Sequence, residues 1–192
     1  MLVPTLERDT SHVVTTRMDN LDTMNLRLRP YTKADESAAR SAHMVAVAEG
    51  SHMLLGFDDD TPWDDFLNSI DDQRAGLHHS QYVVRGVQLA ADVNGEIVGR
   101  ASVRFELNEF FQTQGGHIGY YVRPEYRQRG YATEILCQAL IIARSEGVGP
   151  VLMYCSDNNV GSCRAIERNG GVLDETGLSV DDQWTWRRYW IP

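Results

Sequence analysis

Basic residues are in short supply. Lys and Arg number 18 against 27 Asp and Glu, giving a formal net charge of -9. That deficit excludes a general nucleic-acid binder, which needs an excess of cations to displace phosphate counterions. Cysteine is scarce as well. Cys137, Cys155 and Cys163 form no CxxC and cannot all pair, which excludes a disulfide framework and the usual zinc spacings, so no metal is expected. No apolar run approaches the roughly 18 residues of a membrane span. Glu7, Arg8 and Asp9 stand where a signal peptide needs its apolar stretch. These absences lead to the expectation of a soluble, reduced, cytoplasmic protein with no membrane and no nucleic-acid partner. The remaining composition is ordinary: 42% hydrophobic and 23% charged over 192 residues, enough chain for one domain with a full core.

The chain divides into an aperiodic polar stretch, 1–24, read as a flexible N-terminal arm, and a single domain over 25–192. Asn25–Pro30 alternates apolar and basic residues, which predicts a first strand. Thr32 with Asp35 has the spacing of a capping box, and Ala38, Ala42, Val45 and Ala48 carry a helical stripe toward a stop at Gly50. Gly50-Ser51-His52-Met53 matches a common expression-tag remnant but lies deep inside the chain, and is treated as native. A second helix follows, with Thr61 as N-cap and Pro62 as first residue. Trp63, Phe66, Leu67 and Ile70 form its apolar face. Its acidic opposite face, with Asp58–Asp60 before it, is a solvated surface or an acidic wall attracting a cationic amine.

Val83–Val93 and Glu96–Leu107 flank Asn94-Gly95, the strongest short hairpin signal. A strand at His117–Val122, a helix from Arg129 to about Glu146, a strand at Val151–Cys155 and a helix from Val160 to Asn169 follow. Ile135, Leu136, Leu140 and Ala143 are the expected buried stripe of the longer helix. A hairpin closes the chain: Gly171–Leu178, a turn at Asp181-Asp182, and Trp184–Ile191. The alternation implies an α/β or α+β fold, a mixed sheet covered by helices.

The segment Val122–Ala132, V-R-P-E-Y-R-Q-R-G-Y-A, joins a strand to a helix and has the chemistry of an anion site. A helix N-terminus presents unpartnered N–H groups and partial positive charge. Gly130 and Ala132 let the backbone approach a diphosphate, Arg127 and Arg129 add charge, and Thr133 adds a hydroxyl. GxxxxGK[ST] and GxGxxG are both absent, which excludes a P-loop and a dinucleotide fold.

Arg127-x-x-Gly130-x-Ala132, preceded by Val122-x-Pro124, resembles the acetyl-CoA signature of the GNAT superfamily of N-acetyltransferases. Asp157–Ser162 followed by Ala165–Gly171 is similar to that family's later N-x-x-S…G segment. The likeness covers Asn25–Ile191, and the particular cast looks like a bacterial subgroup of predicted acetyltransferases. The resemblance implies a mixed, mostly antiparallel central sheet, splayed at the middle and flanked by helices. It implies acetyl-CoA as donor substrate, with Tyr120 and Val122 pairing with the pantetheine arm. Arg127, Gln128, Arg129, Gly130, Tyr131, Ala132 and Thr133 would surround the pyrophosphate, and Asn159 and Ser162 would lie along the arm. Asn159 equally suits the N-cap of its own helix.

By the same resemblance, an amine attacks the thioester directly in a ternary complex, with a backbone N–H near Val122 for the oxyanion. Glu106, Glu109 and His117 are candidate bases, Glu106 slightly ahead, against surface-charge and structural roles. The sequence departs from the family at Ile166, where many relatives carry the tyrosine that protonates the leaving thiolate. Tyr120, Tyr121, Tyr154 or a water could replace it. Cys155 reads as a buried structural thiol. The acceptor is a small-molecule or peptide amine of unknown identity. Trp184, Trp186, Tyr189 and Trp190 suit core, acceptor pocket or dimer surface, which leaves a homodimer open. The competing reading is a non-catalytic acyl-CoA-binding or sensing domain of the same fold.

Overall fold

The computed structural model describes residues 25–77, 80–179, 183 and 185–192. The arm expected over 1–24, the turn at Asp181-Asp182 and Trp184 lie outside them. Four antiparallel strands form one sheet in the order β1 (Leu26–Arg29), β2 (Gly86–Val93), β3 (Glu96–Arg104) and β4 (Ile118–Val122). The Asn94-Gly95 turn between β2 and β3 has positive φ at both residues, 54° and 91°, the twist that a tight hairpin requires. A second antiparallel sheet holds β5 (Val151–Ser156), β7 (Thr185–Ile191) and β6 (Val172–Leu178) in that order.

Helices cover both faces of the first sheet. α4 (Tyr131–Ser145) buries Ile135, Leu136, Leu140 and Ala143 against Val98, Val103, Ile118 and Val122, the stripe expected from its period. The opposite face is covered by α1 (Glu36–Ala48) and α2 (Trp63–Ala75). Trp63, Phe66 and Ile70 of α2 join Tyr31, Ala90, Ile97 and Tyr121 in a second core cluster, each full burial being favourable by roughly 1.5–3 kcal/mol.

Two local expectations are corrected. α2 begins one residue late: Pro62 is the N-cap, with an extended ψ of 139°, and the Thr61 hydroxyl instead accepts the Asp58 N–H. On α1 the buried face is Ala39, Ala42, His43 and Ala46, while Val45 is 40% exposed. Apolarity alone selects Val45 over His43, but the His43 Nδ1 accepts the Leu54 N–H at 3.1 Å, so a satisfied imidazole takes the interior position. Thr32 and Asp35 do make the capping contact, the Thr32 N–H donating to the carboxylate at 2.7 Å. A short helix, α3 (Glu109–Thr113), capped by the Asn108 side chain, interrupts the loop between β3 and β4 and was not anticipated.

The two sheets meet at one point. Gly116 bridges Met153, the His117 N–H donates to the Leu152 carbonyl at 2.8 Å, and the Leu152 N–H donates to His117 Nδ1 at 2.9 Å. Beyond this vertex no ladder joins β4 to β5, so the strands part. Gly116 sits there at φ +62°, and a Cβ on it would lie 2.2 Å from the Leu152 carbonyl oxygen. A side chain at that position would hold the sheets apart.

Candidate functional site

A cleft of about 1140 Å³ opens between β4 and the first turns of α4 and α5 (Val160–Arg168). Two helix N-termini therefore point into one space, each with partial positive charge and unsatisfied donors. Gly130 is the N-cap of α4, in the left-handed region at φ +89°. Its carbonyl accepts the Thr133 and Glu134 N–H groups. Gln128, Gly130, Tyr131, Ala132 and Thr133 all line the cleft. Gln128 is also left-handed, at φ +63°, an uncommon conformation for a non-glycine residue that concentrates at ligand sites.

The third wall is the unpaired edge of β4. Just outside β4, the His117 carbonyl accepts the Arg104 N–H and the Arg123 N–H donates to Val98, so the odd-numbered residues between them, Gly119 and Tyr121, turn their backbone toward β3. Strand alternation then directs the backbone groups of Tyr120 and Val122 into the opening. Both residues line it. On α5 the Asn159 side chain accepts the Ser162 N–H at 3.0 Å, so Asn159 is the N-cap while also lining the cleft. Ser162 shares a hydrogen bond of 2.8 Å with the Tyr120 hydroxyl, and burial pushes that phenol up to about 12.

Several residues take places that the sequence did not assign. The Arg127 guanidinium lines the cleft, but it is bound to Glu49 at 2.7 Å and 3.1 Å and to the Val122 carbonyl at 3.0 Å. Arg127 thus ties the loop to the end of α1. Arg129 is outside the lining, its guanidinium 5.7 Å from the centre of the Tyr126 ring. The cleft's other cations are Arg164 and Arg168 of α5, one turn apart on one face, a spacing visible in the sequence and passed over. Glu49 and Ser51 were also missed, and Tyr121, named only as a possible acid, lines the cleft beside them. Tyr121 donates to Glu49 at 2.7 Å, and burial, with Glu49 beside it, raises its phenol to about 12. Arg127 holds the Glu49 carboxyl below the usual carboxylate range.

The proposed bases lie elsewhere. Glu106 and Glu109 line a separate cavity of about 720 Å³, beside Asn108, Phe110 and Ser80, because the chain bends away after β3 and forms α3. His117 sits at the vertex. Its Nδ1 is occupied by the Leu152 N–H, so in the neutral ring Nε2 carries the proton, and burial lowers its pKa. Tyr154 donates its hydroxyl to the Gln112 carbonyl at 2.9 Å. Ile166 is fully buried in the core, with Gly171 leaving room for its methyl: a Cβ there would lie 2.4 Å from it. Cys155 and Cys163 face each other at 3.4 Å, and burial pushes the Cys155 thiol up to about 12, the character of an inert thiol. Among the described residues no cluster of His, Cys, Asp and Glu could hold a metal, and no helix is long and apolar enough to cross a membrane.

Comparison with known proteins agrees with this architecture. The chain superposes on yncA of Salmonella typhimurium, solved with acetyl-CoA, at a TM-score of 0.61 and 16% identity, covering 87% of this chain and 93% of that one. RimJ of Mycobacterium smegmatis, solved with CoA-disulfide, gives 0.63 and 18%, covering 86% and 81%. A GNAT-family protein of Bordetella pertussis gives 0.62 and 18%, covering 88% and 96%. No curated protein matches significantly. At these identities the superpositions establish the fold. The family model described as an acetyltransferase (GNAT) domain matches residues 25–172, and the chain therefore belongs to the GNAT acetyltransferase family and is an acyltransferase.

Proposed function

We propose that this protein is an N-acetyltransferase that takes its acetyl group from acetyl-CoA and passes it directly to an amine within the cleft. The observation that carries this reading is the convergence of two helix N-termini and an open strand edge on one cavity. The donors of the α4 turn suit a pyrophosphate, and Arg164 and Arg168 supply the charge that the occupied Arg127 does not. The Tyr120 and Val122 backbone suits an amide-bearing arm that adds like a strand. When bound, acetyl-CoA supplies the thioester carbonyl to be attacked and the thiolate that leaves.

The chain's own groups then have distinct tasks. Val122 N–H is the donor for charge developing on the carbonyl oxygen. Tyr120 is the general acid in place of the tyrosine absent at Ile166. Its hydroxyl lies in the splay, it keeps its proton at neutral pH, and Ser162 fixes its direction. Glu49 is the one carboxylate among the cleft-lining residues, and its pairing with Arg127 makes it a weak base. The acceptor amine is therefore bound as the neutral form already present in solution, and the Tyr121–Glu49–Arg127 set braces the wall of the cleft rather than moving protons.

The test is release of free thiol from acetyl-CoA in the presence of a broad amine panel (polyamines, aminoglycosides, amino acids, peptide N-termini). Amine-dependent thiol release is expected. Binding of coenzyme A with no turnover across the panel would favour the non-catalytic sensing reading instead.

A further inference from the structure

β3 carries Arg100, Ser102 and Arg104 on alternate positions, and alternation puts all three on the face covered by α1 and α2. Arg100 is 9% exposed. Its Nε donates to the His52 carbonyl and its Nη1 to the Ser102 hydroxyl, at 3.1 and 3.2 Å. Arg104 donates to the Gly116 carbonyl at 2.9 Å and lies 4.0 Å from the centre of the Phe111 ring. Neither has a carboxylate partner among the described residues. The half-buried arginines differ: Arg29 pairs with Asp35 and Asp92, Arg123 with Glu96 and Glu125, and Arg188 with Asp174 and Glu175. Two like charges on one buried strip, served only by neutral acceptors, are costly to the fold. Burial lowers both guanidinium groups to about 10, and Arg100 depresses Arg104 further, yet both remain cations at neutral pH.

The strip itself lines neither cavity, but its neighbours reach the cleft. Gly119, opposite Ser102 in the ladder, directly precedes the cleft-lining Tyr120, and His52 directly follows the cleft-lining Ser51. On the β4 side the strip lies against glycines, its side chains occupying the space that a Cβ would take. A Cβ at Gly119 would lie 3.1 Å from Ser102 Oγ and 3.5 Å from Arg100 Nη1, and one at Gly115 would lie 3.9 Å from Arg104 Nη1. A planar guanidinium fork left without its own carboxylate is suited to a carboxylate brought by a ligand.

We infer that the acceptor is a small amine bearing a carboxylate, which the Arg100–Arg104 strip holds while the amine faces the thioester in the cleft. This rests on the acyltransfer reading above and adds the acceptor's chemical class to it. The acidic surface of α2 then acts on the amine end at long range, and the arginine strip selects among amines.

The experiment pairs amino acids with their amides, so that each pair differs in the carboxylate, and measures thiol release from acetyl-CoA. At least about a 10-fold higher kcat/KM for the acid is expected, since a site built to hydrogen-bond a group rejects the analogue without it, and the preference should vanish in Arg104→Met. Taurine and 2-aminoethyl phosphate, run alongside, are expected to trail the carboxylates. Equal rates for acids and amides, or a faster phosphate or sulfonate, would overturn the inference.

The N-acetyl amino acids and their amides give a second readout that needs no turnover. The acids alone should raise the thermal midpoint of the wild-type chain, and should fail to do so in Arg104→Met. No difference between acid and amide would again overturn the inference. Coenzyme A titrated separately by calorimetry reports on the donor site. Its failure to bind would sink the acyltransfer reading, whereas binding without a carboxylate preference would sink this inference alone.

Discussion

Replacing Gly116 with alanine tests whether the splay of the two sheets depends on a bare backbone at their vertex. Two costs fall on that substitution. The φ of +62° is a left-handed conformation, which costs an L-residue about 1–2 kcal/mol. The new Cβ would also sit 2.8 Å from the Leu152 carbonyl carbon and 2.2 Å from its oxygen, the latter more than 1 Å inside ordinary contact. Both are backbone atoms and cannot rotate away, so β5 must shift, at the ~1–3 kcal/mol typical of overpacking. Together the loss is about 2–5 kcal/mol. Gly50→Ala is the control: its φ is +71° with nothing within 4 Å of the new Cβ, so only the conformational part applies. Urea unfolding of both variants gives the difference directly, and a loss of 1 kcal/mol should move the thermal midpoint by about 2–4 °C in a chain of this size. Weaker coenzyme A binding should accompany Gly116→Ala, because the vertex sets the gap between β4 and β5. If Gly116→Ala and Gly50→Ala lose the same stability, the close approach is not a constraint and the reasoning fails.

Tyr120→Phe should lower kcat by about 10²–10⁴-fold, the usual contribution of a general acid, with little change in coenzyme A affinity; an unchanged kcat would remove Tyr120 from that role. Because no histidine among the described residues lines the cleft, kcat/KM should keep rising with pH toward the acceptor amine's own pKa, and a plateau near pH 6–7 would point to a histidine base instead. His43 and His117 both have pKa values lowered by burial, so the unfolded chain binds more protons as pH falls below about 6.5. Unfolding free energy should therefore be steady above that pH and fall below it, and the His43→Gln, His117→Gln double variant should flatten the slope in denaturant titrations run from pH 7.5 to 5. His117→Ala should lose about 1–3 kcal/mol, from the unpartnered Leu152 N–H it leaves, as measured by urea unfolding.

The walls of the cleft were legible because their signal is local. A strand, a proline, arginines around a glycine and a helix stripe lie in consecutive residues, and the Asn159–Gly171 segment repeats the arrangement on a second unit. Backbone chemistry of this kind survives the move from sequence to space. Glu106 and His117 were misplaced in the cleft because their surroundings depend on distant partners. His117 is turned toward Leu152, 35 residues away, and Glu106 follows the chain into α3, whose five residues are too few to show a helical period. Arg127 reads as a phosphate ligand until Glu49, 78 residues distant, is seen to occupy it. The Arg100–Ser102–Arg104 strip was open to view as polar residues at period two inside a strand otherwise rich in Val, Ile and Ala. Nothing in the sequence, however, shows that this face is buried without carboxylates. Ser51 and His52, in a stretch that looks like an expression-tag remnant, have defined places in the fold: Ser51 lines the cleft and the His52 carbonyl accepts from Arg100.

The central claim is that the α4 N-terminus and the β4 edge hold coenzyme A, and calorimetric titration of coenzyme A into the wild-type chain and Gly130→Glu tests it most directly. Gly130→Glu sets a carboxylate at the helix turn where the pyrophosphate would lie, and a non-glycine residue at φ +89° adds local strain; near-UV circular dichroism shows whether the folded core survives. Saturable binding to the wild type, lost or reduced by at least about 10-fold (1.4 kcal/mol) in a folded Gly130→Glu, is the predicted result. No binding to the wild type, or equal binding to both, would contradict the account.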